Sequence, residues 1–363
     1  MKRWHDFLVA LLFILPALAI YLFYFILPIP TSAYYSFFQW NGIAKPHYTL
    51  TPKAIQVLKE QEEFPDDVVK ALQPLENQKF DKKNQLVQAI EEQIGTDQAD
   101  KYSEPIITHT FVPGKKFLGF GNWVALFKDP VFWKGLSNNI ILVIASIIIQ
   151  LPIGLIIGVF VSSKLKGAKF LKLIYFLPML LSAVAIGLTW NFIYEPTFGL
   201  LNAFLNVIGL EKYATGWLGE EKFALWAVIG AICWQYIPYY MVLFAAALAG
   251  IPQELYEAAY IDGASKSQGF FAITLPLLKN TIRIACVLSL TGSLKYFALI
   301  FVMTGGGPDH ASELLATYMF KQAFTTFRMG YGSTIAVFMF MISFVLTVLI
   351  LRRGKREQEV AYG

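Results

Sequence analysis

Charged residues are scarce in this sequence of 363 residues, because Asp, Glu, Lys and Arg together make up only 15% of it. Hydrophobic residues make up 56%, and the mean hydropathy is +0.52, values that are typical of membrane proteins and rare among soluble domains. The net charge of +5 does not indicate a nucleic-acid partner, since the basic residues cluster at the ends of apolar segments. The composition predicts a protein that crosses a membrane several times.

Cysteine and histidine are also rare. Cys233 and Cys286 both lie inside apolar runs, so we expect no disulfide framework. The four histidines are scattered, and no pair has the spacing of metal ligands, so we expect no metal site. The phosphate-binding loop GxxxxGK[ST] is missing from the sequence. We therefore expect no cofactor in this chain, and any ATP and Mg²⁺ to be bound by another polypeptide.

Six apolar segments are long enough to cross a membrane as helices, which takes about 20 residues each. They lie at residues 7–29, 136–163, 171–193, 223–249, 282–303 and 333–351. Helices are expected because backbone groups in lipid must be paired within their own segment. Prolines inside four segments predict kinks, at Pro16, Pro152, Pro178 and Pro238. The predicted fold is an all-α integral membrane protein with six transmembrane helices.

Basic residues flank these segments on one side only. They are Lys2 and Arg3, then Lys164, Lys166 and Lys169, then Lys266 and Lys279, and finally Arg352, Arg353, Lys355 and Arg356. Because Lys and Arg are retained in cytoplasmic loops, we expect both termini in the cytoplasm. A cleaved signal peptide is the alternative for the first segment, although its apolar region exceeds the roughly 7–15 residues of such peptides.

The predicted organisation has four parts: residues 1–38 with the first helix, an extracytoplasmic loop at 39–134, a five-helix core at 135–352 and a cytoplasmic tail at 353–363. Within the loop, apolar residues recur at helical spacing between charged ones. We expect two or three short amphipathic helices between residues 51 and 101, one of them starting at Pro65. This insert either contacts an extracellular binding protein or is a lineage-specific addition, and both interpretations stay open.

A motif with fixed spacing lies in the polar loop 250–281, between the fourth and fifth segments. It reads Glu257-Ala258-Ala259, then Gly263 after three residues, then Ile273-x-Leu275-Pro276 after nine more. The positive charges place this loop in the cytoplasm. A helix led by an acid there is available to a soluble partner, although an amphipathic helix lying on the membrane is the alternative.

The spacing EAA-x3-G-x9-I-x-LP resembles the coupling motif of permease subunits in binding-protein-dependent ABC importers, and every fixed position matches. Three other stretches resemble the carbohydrate branch of that family (the maltose and glycerol-phosphate type): FGNWVALFKDPVFW from 120, EPTFGLLN from 195 and SLKYFALIFVMTGGGP from 293. The resemblance implies a multi-pass permease in the plasma membrane of a prokaryote. It also implies a second homologous permease, two ATPase subunits, an extracytoplasmic solute-binding protein and a carbohydrate substrate, expected to be an oligosaccharide.

The resemblance assigns an ATPase-coupling role to eight residues: Glu257, Ala258, Ala259, Asp262, Gly263, Ile273, Leu275 and Pro276. Glu257 would pair with a basic group in a cleft of the ATPase, and the two alanines keep the helix slim enough to enter it. Gly263 permits a turn. Leu275-Pro276 would end the element and start the return to the membrane.

Polar and aromatic side chains inside the spans suit a sugar, which offers hydroxyl edges and apolar C–H faces. The resemblance also implies a sugar path. When positions are counted along the chain from the Glu257-Ala-Ala and Gly305-Gly-Gly-Pro motifs, six residues fall where maltose-type permeases contact sugar: Gln235, Tyr236, Tyr239, Ser289, Ser293 and Tyr296. At the matching positions of the third span, where the family has side chains with hydroxyl groups, this sequence has Met179 and Ala183. The main solute site therefore lies either in this subunit or in the partner permease. Lys295, the one cation well inside a span, either faces a polar cavity or an acid, or snorkels outwards.

Three other functions are conceivable for a membrane protein of this composition. A permease of the same family for a non-sugar solute stays open. An ion-coupled secondary transporter would favour paired acids inside the membrane, and the predicted spans contain neither Asp nor Glu. A membrane-embedded enzyme would need a nucleophile with its base, or a metal cluster, near the membrane surface, and the sequence offers neither. We therefore expect a transport subunit without enzymatic activity of its own.

Overall fold

The computed structural model describes residues 2–60, 62, 64–162 and 167–362. The end of the second predicted span at Ser163, and the basic residues Lys164 and Lys166, lie outside the described residues. So do the side chains of Lys2, Arg3, Lys169, Arg353, Lys355 and Arg356. The chain forms two compact units, one of Met1–Val124 with Gln322–Thr334 and one of Ala125–Lys321 with Ile335–Gly363.

The first unit begins with a long apolar helix. Helix α1 (Lys2–Tyr21) runs through a π-helical turn (Leu22–Ile26) into α2 (Pro28–Tyr35). Together they give a candidate span, Leu11–Tyr35, which ends six residues later than the segment expected from hydropathy, 7–29. Within its most apolar 18-residue window, no residue is buried inside the chain. Its apolar side chains are therefore free to face lipid or another polypeptide.

The rest of the first unit is a small mixed domain. Its elements are β1 (Phe38–Gln39), β2 (His47–Thr49), α3 (Pro52–Glu60), α4 (Asp66–Leu72), a 3₁₀ turn (Gln73–Leu75), β3 (Lys79–Phe80), α5 (Lys83–Ile94), α6 (Thr96–Thr110), β4 (Phe111–Val112), β5 (Lys116–Phe117) and the start of α7 (Gly121–Lys128). Antiparallel strands β1 and β5 pair at its base, and β3, β2 and β4 form a three-stranded sheet.

Two details of this insert differ from the sequence-based prediction. Five short strands lie between Phe38 and Phe117, with β3 inside residues 51–101 and the other four on either side of it, so the expectation of an all-α chain is wrong in this region. It also has four helices, α3 to α6, instead of the two or three expected. The start at Pro65 is confirmed, since Pro65 is the N-cap residue of α4. The helices enclose a continuous core that includes Leu58, Leu86, Ile90 and Ile106, all with at most 1% of their surface exposed.

The second unit holds the remaining apolar helices. They are α8 (Pro130–Ala145), a π-helical turn (Ser146–Gln150), α9 (Leu151–Ser162), α10 (Ala168–Leu180), α11 (Ala183–Ile193), α12 (Leu200–Val207), a 3₁₀ turn (Glu211–Tyr213) and α13 (Glu221–Leu248). After these come α14 (Gln253–Ile261), α15 (Lys266–Gly269), a π-helical turn (Phe270–Thr274), α16 (Leu275–Leu277), α17 (Lys279–Leu294), α18 (Ala298–Met303), α19 (Leu315–Phe320), a π-helical turn (Lys321–Thr325) and α20 (Met329–Tyr362). Most of that last π-helical turn and the first six residues of α20 fall within Gln322–Thr334, which belongs to the first unit.

Across the described residues, five helices are long and apolar enough to cross a membrane. Besides Leu11–Tyr35 they are Pro130–Ser162, Glu221–Leu248, Lys279–Met303 and Met329–Arg352. The expected third span, 171–193, is instead two helices, and the axis turns by 105° between Leu180 and Ala183. Ser182 is extended and caps α11, because its Oγ accepts a hydrogen bond from Ala185 N at 3.2 Å. The count is five spans, or six if this bent pair is one.

Close contact between α9 and α13 depends on two glycines. A Cβ atom at Gly154 would lie 2.7 Å from Tyr240 Cβ, and one at Gly158 would lie 3.1 Å from Met241 O. The pair forms a small-x₃-small pattern that lets the two backbones approach, as is common between membrane helices. Because Tyr240 belongs to α13, this approach also fixes one wall of the polar cavity described below.

Candidate functional site

The glycine of the fixed-spacing motif ends helix α14. Ala264 N donates to Ala259 O at 2.9 Å, and Gly263 N donates to Tyr260 O at 3.1 Å. This pair of bonds is a Schellman motif, in which the residue after the C-cap takes a left-handed conformation. Gly263 has φ +80° and is that residue. The spacing between Ala259 and Gly263 is therefore the spacing that a Schellman ending requires.

Helix α14 presents an unusually open surface. Among its nine residues, Gln253–Ile261, none is buried. Glu257 and Ala258 are exposed, as the motif predicts, and Tyr260 and Ile261 expose 80% and 83% of their surface. Exposed aromatic and aliphatic side chains beside a carboxylate are typical of a protein-binding surface. Tyr260 and Ile261 were not among the predicted site residues. Two large apolar side chains in an otherwise polar loop could have indicated a binding surface.

The chain after Gly263 turns back in three short steps. Ser265 caps α15 through a reciprocal capping box with Gln268, and a π-helical turn that contains Ile273 follows. Tyr256 of α14 shares a hydrogen bond of 2.8 Å with Thr274 at the end of that turn. Leu275, which is half-buried, and Pro276 then start α16. The bond between Tyr256 and Thr274 holds the exposed helix to the segment that leads into α17.

A polar cavity of about 180 Å³ lies between the π-helical turn at Ser146–Gln150, α13 and α17. It brings together five of the six residues predicted to line a solute path: Tyr236, Tyr239, Ser289, Ser293 and Tyr296. The sixth, Gln235, does not line the cavity, but its Oε1 accepts a hydrogen bond from the Tyr296 hydroxyl at 3.2 Å. The six residues that the sequence predicted to line a solute path are therefore close together in the structure.

Hydroxyl groups, aromatic rings and the amide of Gln150 line this cavity. Ser293 Oγ donates to Ser146 Oγ at 3.3 Å, and the rings of Tyr236 and Tyr296 meet edge to face at 5.8 Å. Ser289 Oγ is buried and finds no hydrogen-bond partner among the described residues. An unpartnered buried hydroxyl is costly unless a ligand or water meets it. The cavity can therefore bind a neutral molecule that carries hydroxyl groups.

Sequence analysis missed two polar residues of the cavity wall. Ser146 and Gln150 lie four residues apart in an otherwise apolar run, and both are buried. That spacing puts them on one helix face, which was the available signal. Lys295, by contrast, lies outside the polar cavity. It is exposed at the end of α17 and lines an apolar groove with Phe297, Phe320 and Phe344.

The loop after α18 is built around a buried carboxylate. Gly305 and Gly306 have φ +58° and +88°, and a cis peptide bond joins Gly307 to Pro308, so the helix ends as the glycine run predicts. Glu313 is fully buried. Its Oε2 accepts from Lys321 Nζ at 2.5 Å and faces His310 Nδ1 at 2.9 Å, and its Oε1 accepts from Thr317 at 2.5 Å. Sequence analysis had no signal for this network.

Comparison with known proteins identifies the family. Residues 150–354 match the model of the binding-protein-dependent transport system inner membrane component family. The probable ABC transporter permease protein YurN of Bacillus subtilis is 41% identical over 252 residues, which are 69% of this chain and 86% of that protein. The chain belongs to this family of membrane transport components. The prediction made from the motif spacing is confirmed.

Other relatives and a solved structure agree with this assignment. The trehalose/maltose transport system permease protein MalF of Thermococcus litoralis is 32% identical over 250 residues, covering 69% of this chain and 84% of that protein. The diacetylchitobiose uptake system permease protein NgcF of Streptomyces coelicolor is 34% identical over 253 residues, covering 66% and 71%. A bacterial ABC transporter for import of the acidic polysaccharide alginate has the same fold, with a TM-score of 0.61 and 23% identity over 66% of this chain and 84% of that one.

Proposed function

We propose that this chain is one of two membrane subunits of an ATP-driven importer that takes up a carbohydrate delivered by an extracytoplasmic binding protein. The observation that carries the proposal is the motif helix α14, which is fully formed, capped and exposed as a surface for another protein. The family description supports dependence on a binding protein. Carbohydrate is favoured because relatives named for trehalose and maltose and for diacetylchitobiose align with 69% and 66% of the chain.

The proposed orientation places six spans in the plasma membrane, with both termini and the loop 250–281 in the cytoplasm. It counts the bent pair α10 and α11 as the third span. Described basic residues support this arrangement, because Lys266, Lys279 and Arg352 lie in the proposed cytoplasmic parts. The loop between α11 and α13 would then face outwards.

The energy would come from two ATPase subunits that receive α14. Glu257 would pair with a basic group, Ala258 would allow close approach, and Tyr260 and Ile261 would bury their exposed rings and methyl groups in the same cleft. Closure of the ATPase pair would then pull on α14 and, through the bond between Tyr256 and Thr274, on α17. Since α17 carries Ser289 and Ser293, the pull would reach the polar cavity.

The solute would pass along the polar cavity and a matching surface of the second permease. At about 180 Å³, the cavity of this chain has room for about six water molecules, which is too small for an oligosaccharide. The path must therefore widen during transport or be completed by the second subunit. Tyr236, Tyr239 and Ser289 are the residues that we expect to touch the sugar.

The proposal is tested by reversing one charge on α14. In proteoliposomes that contain the assembled importer, Glu257→Lys should reduce ATP-driven sugar uptake at least a hundredfold, because the altered charge opposes a basic group in the ATPase. Glu211→Lys, which makes the same charge change in the loop before α13, should transport normally. Membrane insertion of both variants should match the wild type. Normal uptake by Glu257→Lys would refute the coupling role.

A further inference from the structure

A second cavity, of about 640 Å³, lies where the motif loop meets the ends of two membrane spans. Its apolar wall includes Val159 near the end of α9, Leu248 at the end of α13 and Phe270 in the π-helical turn. The volume falls in the range of roughly 300–1,000 Å³ that is usual for small-molecule sites. The polar cavity between α13 and α17 shares none of its lining residues.

The polar part of this second cavity selects for negative charge. Among the described residues that line it, Lys266 is the one charged side chain and none is a carboxylate, while Ser162 and Gln253 add neutral hydrogen-bond donors. Lys266 is exposed, and no ion pair ties it to another described residue. An unpaired ammonium with two neutral donors beside it is a suitable environment for a phosphate group.

The position of this cavity along the spans indicates what occupies it. Among the described residues the candidate span Pro130–Ser162 reaches Ser162, and the sequence continues with the basic residues Lys164 and Lys166, whereas the candidate span Glu221–Leu248 ends at Leu248. Ser162 and Leu248 therefore lie near the boundary between hydrocarbon and headgroups. Ile156 and Phe160, which lie six and two residues before Ser162 on α9, expose 63% and 52% of their surface. A molecule with a phosphate at Lys266 could lay an acyl chain along that face.

We infer that this cavity binds one anionic diacyl phospholipid, with its phosphate at Lys266 and its glycerol region against Val159 and Leu248. The inference rests on the proposed function only in placing the cavity at the cytoplasmic leaflet, where anionic lipids attract basic side chains. Tyr256 of α14 also lines the cavity. The bound lipid would therefore support α14 from the membrane side, opposite to the partner ATPase, and anionic lipid would raise coupled transport.

The test is lipid titration of the delipidated importer complex, followed by native mass spectrometry. Wild-type complex should retain one phosphatidylglycerol per copy of this chain in preference to phosphatidylcholine. Lys266→Gln should weaken phosphatidylglycerol binding about fivefold, the effect of one lysine charge near a membrane surface, and Lys266→Arg should preserve it. Lys279→Gln, which removes a charge from the same loop but outside the cavity, should bind as the wild type does. Val159→Trp should block binding by filling the cavity.

Three outcomes would overturn the inference. They are unchanged phosphatidylglycerol binding by Lys266→Gln, equal retention of phosphatidylcholine, and complete displacement by millimolar glycerol phosphate, which would make a free phosphate the ligand. If Val159→Trp does not fold, phosphatidylglycerol binding by Lys266→Gln and Lys266→Arg still tests the inference. Glu257→Lys should keep its lipid while losing uptake, so failure of the lipid site and failure of the proposed coupling give different results.

Discussion

Gly263 shows how a single residue determines the shape of the exposed helix. Its φ of +80° belongs to the left-handed region, and no atom lies within 4 Å of a Cβ placed there. A side chain at this position would therefore strain the backbone, but it would not clash with neighbouring atoms. The cost for a residue other than glycine is about 1–2 kcal/mol.

We predict that Gly263→Ala shifts the end of α14 and lowers ATP-driven uptake about fivefold or more, because strain of about 1–2 kcal/mol opposes the Schellman ending. Gly209→Ala is a matched control, since Gly209 has φ +75° and equally open surroundings in the loop after α12. Uptake and thermal unfolding of both variants should be measured. Equal loss of uptake in the two variants would contradict a special role for the α14 ending.

Glu313 is the second residue on which a local structure depends. Its carboxylate is fully buried, whereas the Lys321 side chain that pairs with it is 30% exposed. Removing one partner of a buried ion pair costs about 3–5 kcal/mol. Partial exposure of Lys321 lowers this value, because water can solvate the ammonium group that remains.

We predict that Glu313→Gln lowers the free energy of unfolding by about 2 kcal/mol, since it leaves the Lys321 ammonium without its carboxylate. Lys321→Met should cost more, about 3–5 kcal/mol, because it leaves a fully buried carboxylate without its cation and with only Thr317 and His310 as partners. A double-mutant cycle followed by thermal unfolding measures the coupling between the two residues. Additive effects would show that the pair contributes nothing.

At the level of elements, the sequence predicted helices well where the signal was local. Hydropathy gave five spans whose ends lie within six residues of those in the structure, and the periodicity of Leu86 and Ile90 gave α5. The strands of the insert were missed because each has only two or three residues and is defined by pairing with a distant segment. A kink was predicted at Pro178, and the chain bends just after it, between Leu180 and Ala183, but the size of the bend, 105°, was not predicted because the residues on both sides are equally apolar.

Packing between α9 and α13 yields a prediction at this scale. Gly154→Val should push the helices apart, because a Cβ already falls 2.7 Å from Tyr240 Cβ. We expect a loss of about 1–3 kcal/mol of stability from overpacking, together with reduced sugar-stimulated ATP turnover, since Tyr240 lines the polar cavity. Ile156→Val on the exposed face of α9 is the control. Unchanged stability and turnover in Gly154→Val would contradict the proposed packing.

For the whole molecule, the family could be inferred from the sequence because the motif combines several local requirements. A helix start, a Schellman ending at fixed distance and a proline-led return each constrain residue type, so their joint spacing is specific. The polar cavity was predictable in part, since Ser289 and Ser293 share one face of α17 and Tyr296 follows two residues after that helix ends at Leu294. The rest of the cavity wall includes Ser146 and Gln150, from the π-helical turn between α8 and α9. Their place in the wall depends on how α8 and α9 pack against other helices, and the residue pattern within a single helix does not predict that packing.

The central claim is that α14 is the surface through which a separate ATPase drives this chain. The most direct measurement is cysteine crosslinking in the assembled importer, after Cys233 and Cys286 have been replaced by serine. Ala258→Cys on α14 should crosslink to the ATPase subunit, and Ala203→Cys, an equally exposed alanine on α12, should not. A crosslink from Ala203 without one from Ala258 would contradict the account, because it would place the ATPase at the other end of the spans.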